Sequence, residues 1–130
     1  MRTILLDTQI ALWILADSPR LPKHIRTVSP QEGFCWIFHQ ASLWEIQIKY
    51  SLGKLPLPDR PETYLPSAIR DAGFQKSPIE DDGIYFLAKL PNHHSDPFDR
   101  LLIAHAILHA WEVATTDSQW EGYPVRIFRG

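Results

Sequence analysis

Five carboxylates in this chain stand where one backbone element gives way to the next: Asp7, Glu45, Asp96, Asp99 and Asp117. Asp7 closes the apolar run Thr3-Ile4-Leu5-Leu6, and Asp117 closes Val113-Ala114-Thr115-Thr116. Asp96 precedes Pro97, and proline suits a first helical turn because no amide donor is needed there. Asp96 therefore reads as an N-cap and Asp99 as a first-turn acid, favoured by the amide end of the helix. Ser42-Leu43-Trp44-Glu45 has the S-x-x-E form of a capping box, which makes Glu45 a helix-start acid too. Taken singly, such acids are ordinary capping chemistry. Together, at the strand ends and helix starts of an open α/β sheet, they share the edge at which ligands bind.

Four or five carboxylates at one edge repel each other, by up to several kcal/mol per close pair at an effective dielectric constant of about 20. A divalent cation resolves that conflict, and an all-oxygen ligand set selects Mg²⁺ or Mn²⁺ over zinc or copper. Sites of this kind serve phosphoryl chemistry, in which the ion polarises a phosphate oxygen and lowers the pKa of a bound water. The hydroxyls of Thr8, Thr115 and Thr116 are candidates to orient water or phosphate. Arg100 either holds a phosphate or pairs with a neighbouring acid. The chain has no Gly-rich phosphate loop, no G-x-S-x-G elbow and no H-E-x-x-H. His93 and His94, just ahead of Asp96, suggest a metal site. Neighbouring side chains rarely face one ion, however, so the favoured reading is a connecting loop.

The elements that must position these acids follow from pattern and punctuation. Thr3–Leu6 is short and apolar, as expected of a central strand buried on both faces. A helix follows from Thr8 to Ala16, then a short helix from Pro22 to about Val28 and a turn from Pro30 to Gly33. Phe34–Phe38 is a second strand by its aromatic and β-branched content. The Glu45 helix stops at Gly53, Lys54–Arg60 is a loop, and Pro61–Ala72 is a helix closed by Gly73. Phe74–Lys76 is a short edge segment, Glu80–Lys89 a helix with a solvated acidic first turn, and the Asp96 helix runs to about Ala110. Val113–Thr116 and Val125–Phe128 are the remaining strands. Strands alternating with helices imply a parallel sheet with right-handed crossovers.

A length of 130 residues suits one domain with one buried core, and a hydrophobic content of 45% argues against disorder. The formal charge of −2 means that no overall basic field advertises nucleic acid, so any such contact is local. The lone Cys35 excludes an internal disulfide or a multi-cysteine zinc site, and it reads as a small buried hydrophobe. With no apolar run of membrane-spanning length and no signal-type N-terminus, the expected location is cytoplasmic, without membrane association.

Leu5-Leu6-Asp7-Thr8, Ala41-Ser42-Leu43-Trp44-Glu45-Ile46, Leu90-Pro91 through Asp96-Pro97-Phe98-Asp99-Arg100-Leu101-Leu102-Ile103-Ala104, and Thr115-Thr116-Asp117 together resemble PIN-domain ribonucleases of the VapC toxin group. The likeness spans nearly the whole chain, with four motifs in order. It implies a three-layer α/β/α PIN-like fold around a central parallel β-sheet, with residues 1–130 as a single nuclease domain. It further implies Mg²⁺- or Mn²⁺-dependent endoribonuclease activity, as the toxin of a type II toxin-antitoxin system, and a VapB-type antitoxin partner. Asp7, Glu45 and Asp117 match the family's first, second and fourth acids. The third is either Asp99, by its spacing to Ala106, or Asp96, which heads the Asp-Pro-Phe-Asp-Arg signature. Gln9 stands where the family often has histidine.

Two other functions compete: a non-catalytic PIN-fold binding or regulatory module whose acids are only caps, and a metal-dependent phosphohydrolase acting on DNA or nucleotides. Trp13, Trp36, Trp44, Trp111 and Trp120 exceed what one small core readily buries. That surplus predicts a homodimer contact and a groove for an antitoxin helix.

Overall fold

The structure, a computed structural model, describes residues 1–28 and 32–130. The turn expected from Pro30 to Gly33 begins outside the described residues. Strands β1 (Arg2–Leu6), β2 (Phe34–His39), β3 (Gln75–Ser77), β4 (Glu112–Ala114) and β5 (Arg126–Ile127) form a sheet in the order β3-β2-β1-β4-β5. Every pairing in it is parallel. Strand β1 takes the centre because its apolar residues do not alternate with polar ones: Ile4, Leu5 and Leu6 are all fully buried. Ile4 and Leu6 pack with Ile10, Ile46, Leu65 and Phe128 on one face. Leu5 packs with Ile37, Leu102, Val113 and Trp120 on the other. Each fully buried aliphatic side chain contributes roughly 1.5–3 kcal/mol relative to its exposed state, so both faces must be covered.

Helices α1 (Thr8–Leu15), α2 (Lys23–Arg26) and α4 (Pro61–Asp71) cover the first face, through Ile10, Ile25, Leu65 and Ile69. Helices α5 (Asp81–Phe86) and α6 (Pro97–His109) lie on the second, where α6 buries Leu101 through Ala106. Helix α3 (Gln40–Ser51) gives Ala41 to one core and Ile46 to the other, which carries it across the sheet edge. This is the expected three-layer α/β/α arrangement. Gly53 and Gly73, with φ of 72° and 74°, follow α3 and α4 in the left-handed conformation that ends a helix.

Some boundaries differ from the sequence reading. Helix α3 begins at Gln40, and its N-cap is His39, whose Nδ1 accepts the N–H of Ala41 at 3.0 Å. Ser42 and Glu45 are therefore not a capping box. Both lie inside the helix and are buried, at 1% and 5% exposure. Strand β4 stops at Ala114 rather than Thr116, because β1 ends opposite it at Leu6. Strand β5 is Arg126–Ile127 rather than Val125–Phe128. The helix expected over Glu80–Lys89 divides into α5 and a 3₁₀ turn at Leu87–Lys89. Of the tryptophans, Trp36 and Trp120 belong to the core, Trp13 and Trp111 are half-buried, and Trp44 is 52% exposed.

Candidate metal centre

The parallel register sets the ends of β1, β2 and β4 side by side, with Leu5 opposite Ile37 and Leu6 opposite Ala114. Asp7 extends the ladder by one step, since its N–H donates to the Ala114 carbonyl at 3.0 Å. That step places it beside Thr115, whose Oγ1 donates to Asp7 Oδ2 at 2.7 Å. The same Thr115 oxygen accepts the N–H of Asp117 at 3.0 Å, so one threonine ties the first acid to the last. Asp117 in turn caps a 3₁₀ turn, its Oδ1 accepting from Gln119 N at 2.9 Å.

Glu45 reaches the edge from the second turn of α3. Its Oε2 meets Lys49 Nζ at 2.6 Å, one helical turn on, while its Oε1 is buried with no hydrogen-bond partner among the described residues. Asp96 is the N-cap of α6, its Oδ1 accepting from Phe98 N at 2.8 Å and Asp99 N at 3.2 Å. Asp99 is placed differently. Its Oδ2 lies 2.8 Å from His94 Nε2, and the same nitrogen is 2.9 Å from Asp117 Oδ2. All five acids line one cavity of about 370 Å³, together with Thr8, Thr116, Lys49 and Lys54.

The electrostatics reflect this crowding. Burial pushes Asp7 up to about 6, against the lowering effect of the Thr115 hydrogen bond, and Glu45 and Asp117 add to the rise. Asp99 is pushed up to about 7, first by burial and then by Asp7 and Asp96, with Glu45 adding and His94 opposing. The Lys49 ammonium is held above its ordinary value, chiefly by its hydrogen bond to Glu45, with Asp96 and Asp99 contributing. Negative charge in excess of its compensation, oxygen donors only among the five acids, and the unpartnered Glu45 Oε1 fit a hard divalent cation.

The supporting residues divide. Thr115 is buried against Asp7, Thr8 spends its hydroxyl on Ser42 Oγ at 2.8 Å, and Thr116 is exposed on the cavity rim. Arg100 does not come to the acids. Its guanidinium donates to the carbonyls of Pro91 at 3.0 Å and Leu87 at 3.2 Å and to the Tyr123 hydroxyl at 3.3 Å, bracing the loop ahead of α6. That loop carries His94, which the sequence reading left in a mere connection. Adjacent side chains do diverge here, since the His93 ring packs on Tyr123 at 5.4 Å while His94 turns inward and is only 7% exposed. Divergence still leaves one of the two free to reach the site.

A parallel α/β sheet with acids gathered at the C-terminal ends of its strands defines a class of proteins that bind a hard cation at that edge. The chain belongs to the PIN domain family, whose model matches residues 4–125. PIN domains are generally nucleases. No curated protein matches the sequence. Among solved structures, it is similar to VapBC2 from Rickettsia felis bound to a DNA fragment from its promoter, with TM-score 0.71 and 13% identity over 98% of this chain and 97% of that one. A DNA-bound VapBC from Salmonella typhimurium gives TM-score 0.70 and 18% identity, covering 98% of both chains. FitAcB from Neisseria gonorrhoeae gives TM-score 0.64 and 15% identity, covering 97% and 96%.

Proposed function

We propose that this protein is a VapC-type toxin, a cytoplasmic, Mg²⁺- or Mn²⁺-dependent endoribonuclease in which residues 1–130 act as one nuclease unit. The observation that carries the proposal is the convergence of Asp7, Glu45, Asp99 and Asp117 on one cavity at the strand ends. These four acids would hold the ion, with Asp99 as the third acid. Asp96 has one oxygen committed to the helix cap and sets the angle at which α6 enters the site. When bound, the ion polarises a phosphate oxygen and lowers the pKa of an attacking water. Thr115 fixes the orientation of the Asp7 carboxylate. Lys54 and the exposed Thr116 hydroxyl, on the cavity rim, meet the ribose-phosphate backbone of RNA.

A VapB-type antitoxin is the proposed partner, in line with the complexes in which the structural neighbours occur. The receiving surface is the apolar groove between α3 and α4, lined by Leu43, Trp44, Pro61, Leu65, Pro66 and Ile69, which suits the apolar face of a helix. From there, a basic antitoxin side chain can reach the neighbouring acidic cavity, because α3 carries both Trp44 and Glu45. Self-association as a homodimer belongs to the same proposal. No helix among the described residues is long and apolar enough to cross a membrane.

The test is a cleavage assay on RNA, single-stranded DNA and nucleotides, with Mn²⁺ or with EDTA, for the wild type and Asp99→Asn. RNA cleavage that needs metal and Asp99 supports the reading. Cleavage of DNA or nucleotides alone would shift it to another phosphohydrolase, and an inert protein that binds no metal would refute it.

A further inference from the structure

His94 bonds both acids that close the site, and the hydrogen-bond network fixes which nitrogen does what. Its Nδ1 lies 3.1 Å from the N–H of Asp96, a group that can only donate, so Nδ1 accepts and carries no proton. A ring so engaged keeps its proton on Nε2. That one N–H faces Asp99 Oδ2 at 2.8 Å and Asp117 Oδ2 at 2.9 Å. The ligand-capable atoms of His94, Asp99 and Asp117 lie within 4.8 Å of one another, the spacing of a three-ligand metal site. Ligation through Nε2 would need the ring proton on Nδ1, because a histidine ligand offers a bare nitrogen to the ion and donates from the other, and Nδ1 already faces the N–H of Asp96.

We infer that His94 is a positioning residue for the metal centre: an N–H clip that holds the Asp99 and Asp117 carboxylates together. The inference rests on the proposed metal site, and it concerns what arranges the ligands. The clip is built rather than incidental. The backbone N–H of His94 donates to the Tyr123 hydroxyl at 2.9 Å, as does that of His93 at 3.2 Å, and Arg100 ties the same hydroxyl to the carbonyls of Leu87 and Pro91. Tyr123 is itself buried. His94 therefore sits on a rigid brace with one ring nitrogen held by the N-cap of α6 and the other aimed at two acids from different parts of the chain. Freed of the clip, Asp99 and Asp117 repel and separate, and the ion meets a site that must be reassembled. Outer-sphere partners of metal ligands commonly change affinity by about 10- to 100-fold when removed.

The experiment is Mn²⁺ titration by calorimetry of the wild type, Asp99→Asn, His94→Ala and His94→Gln, with ¹⁵N spectra of the histidine rings before and after addition of Mg²⁺. The Gln amide nitrogen overlays Nε2 and offers two N–H bonds, one for each acid. Expected are an Mn²⁺ affinity about 10-fold or more weaker in His94→Ala, recovery to within a few-fold in His94→Gln, and an Nε2-protonated His94 both with and without Mg²⁺. Wild-type affinity in His94→Ala, or loss of the Nε2 proton when Mg²⁺ binds, would overturn the clip while leaving the metal site standing. A wild type indifferent to Mn²⁺ would overturn the metal site and the inference with it. The ring spectra need no variant, so a failure of His94→Ala to fold leaves the tautomer as the deciding result.

Discussion

Replacing Asp7 with asparagine should make the metal-free protein more stable while destroying its response to metal. The folded chain raises Asp7 from 3.8 to about 6, so it binds that proton more tightly than the unfolded chain does. The stability this group contributes is fully present below pH 3.8 and is lost as pH rises through about 6. Just over two pKa units at 1.36 kcal/mol each give a penalty of about 3 kcal/mol for the ionised form at pH 8. Asparagine removes that penalty. Its Oδ1 can still accept from Thr115, and the weakening of that bond in the neutral form is already contained in the net shift of Asp7. The gain of about 3 kcal/mol corresponds to about 9 °C in Tm for a chain of this size.

Thermal unfolding followed by circular dichroism in EDTA, from pH 4.5 to 8, measures this directly. Asp7→Asn should melt about 9 °C above the wild type at pH 8, and the difference should shrink to about a third of that at pH 4.5, where the folded wild type is largely protonated at Asp7 but the unfolded chain still ionises it. Saturating Mn²⁺ should reverse the order, since a ligand at about 1,000 times its Kd adds about 4.1 kcal/mol to the form that binds it. If Asp7→Asn is no more stable than the wild type at pH 8 in EDTA, Asp7 is not the buried, crowded charge described above.

Three further outcomes follow from the same geometry. Glu45→Gln should lower cleavage at least about 100-fold, in the range of a lost ligand or its support, with Tm changed by only a few degrees; full cleavage would remove Glu45 from the site. Lys49→Met deletes the ammonium 2.6 Å from Glu45 Oε2 and leaves that buried carboxylate without a counter-charge; it should lower Tm in EDTA and move the Mn²⁺ titration midpoint to several-fold lower concentration, and an unchanged midpoint would show that Lys49 does not compete for the site. Gly83→Ala drives a Cβ into the His105 ring, which Leu101 O and Glu80 N hold by both nitrogens; overpacking of about 1–3 kcal/mol is expected, less than additive with His105→Ala in a double-variant unfolding cycle.

Asp7, Asp117 and the pair Asp96 and Asp99 stand out in the sequence because apolar runs end at them or a proline marks the helix tip, and a parallel sheet sends all such ends one way; the sequence leaves Asp96 and Asp99 both open as the third acid. Glu45 was singled out on a mistaken local ground. The sequence pattern Ser-x-x-Glu mimics a capping box, yet the cap is His39, a residue with low N-cap preference that takes the position because β2 delivers it there, already buried. Arg100 misled for a related reason. Its partners are two carbonyls from the Leu87–Pro91 stretch and the phenol of Tyr123, and no local pattern announces them. His94 was hidden by its neighbour, since the argument that two adjacent histidines cannot share an ion says nothing against one of them bonding the ligands.

The arrangement also offsets much of the repulsion among so many acids. Each meets a hydrogen-bond donor: the Thr115 hydroxyl for Asp7, the Lys49 ammonium for Glu45, backbone N–H groups for Asp96, and the shared His94 ring N–H for Asp99 and Asp117. A charge-assisted hydrogen bond to a carboxylate contributes about 1.5–3 kcal/mol, comparable to the penalty worked out for Asp7, so these donors hold the repulsion near balance rather than abolish it. What remains unbalanced is carried by the raised pKa values of Asp7 and Asp99. Two of the donors, Thr115 and His94, are themselves fixed, by the N–H of Asp117 and the N–H of Asp96, so the acids and their donors brace each other across the gap between β4 and α6. Such a site is preformed for a cation and unstable in proportion to its absence, which is why stability in EDTA and affinity for Mn²⁺ should move in opposite directions when one of the acids is neutralised.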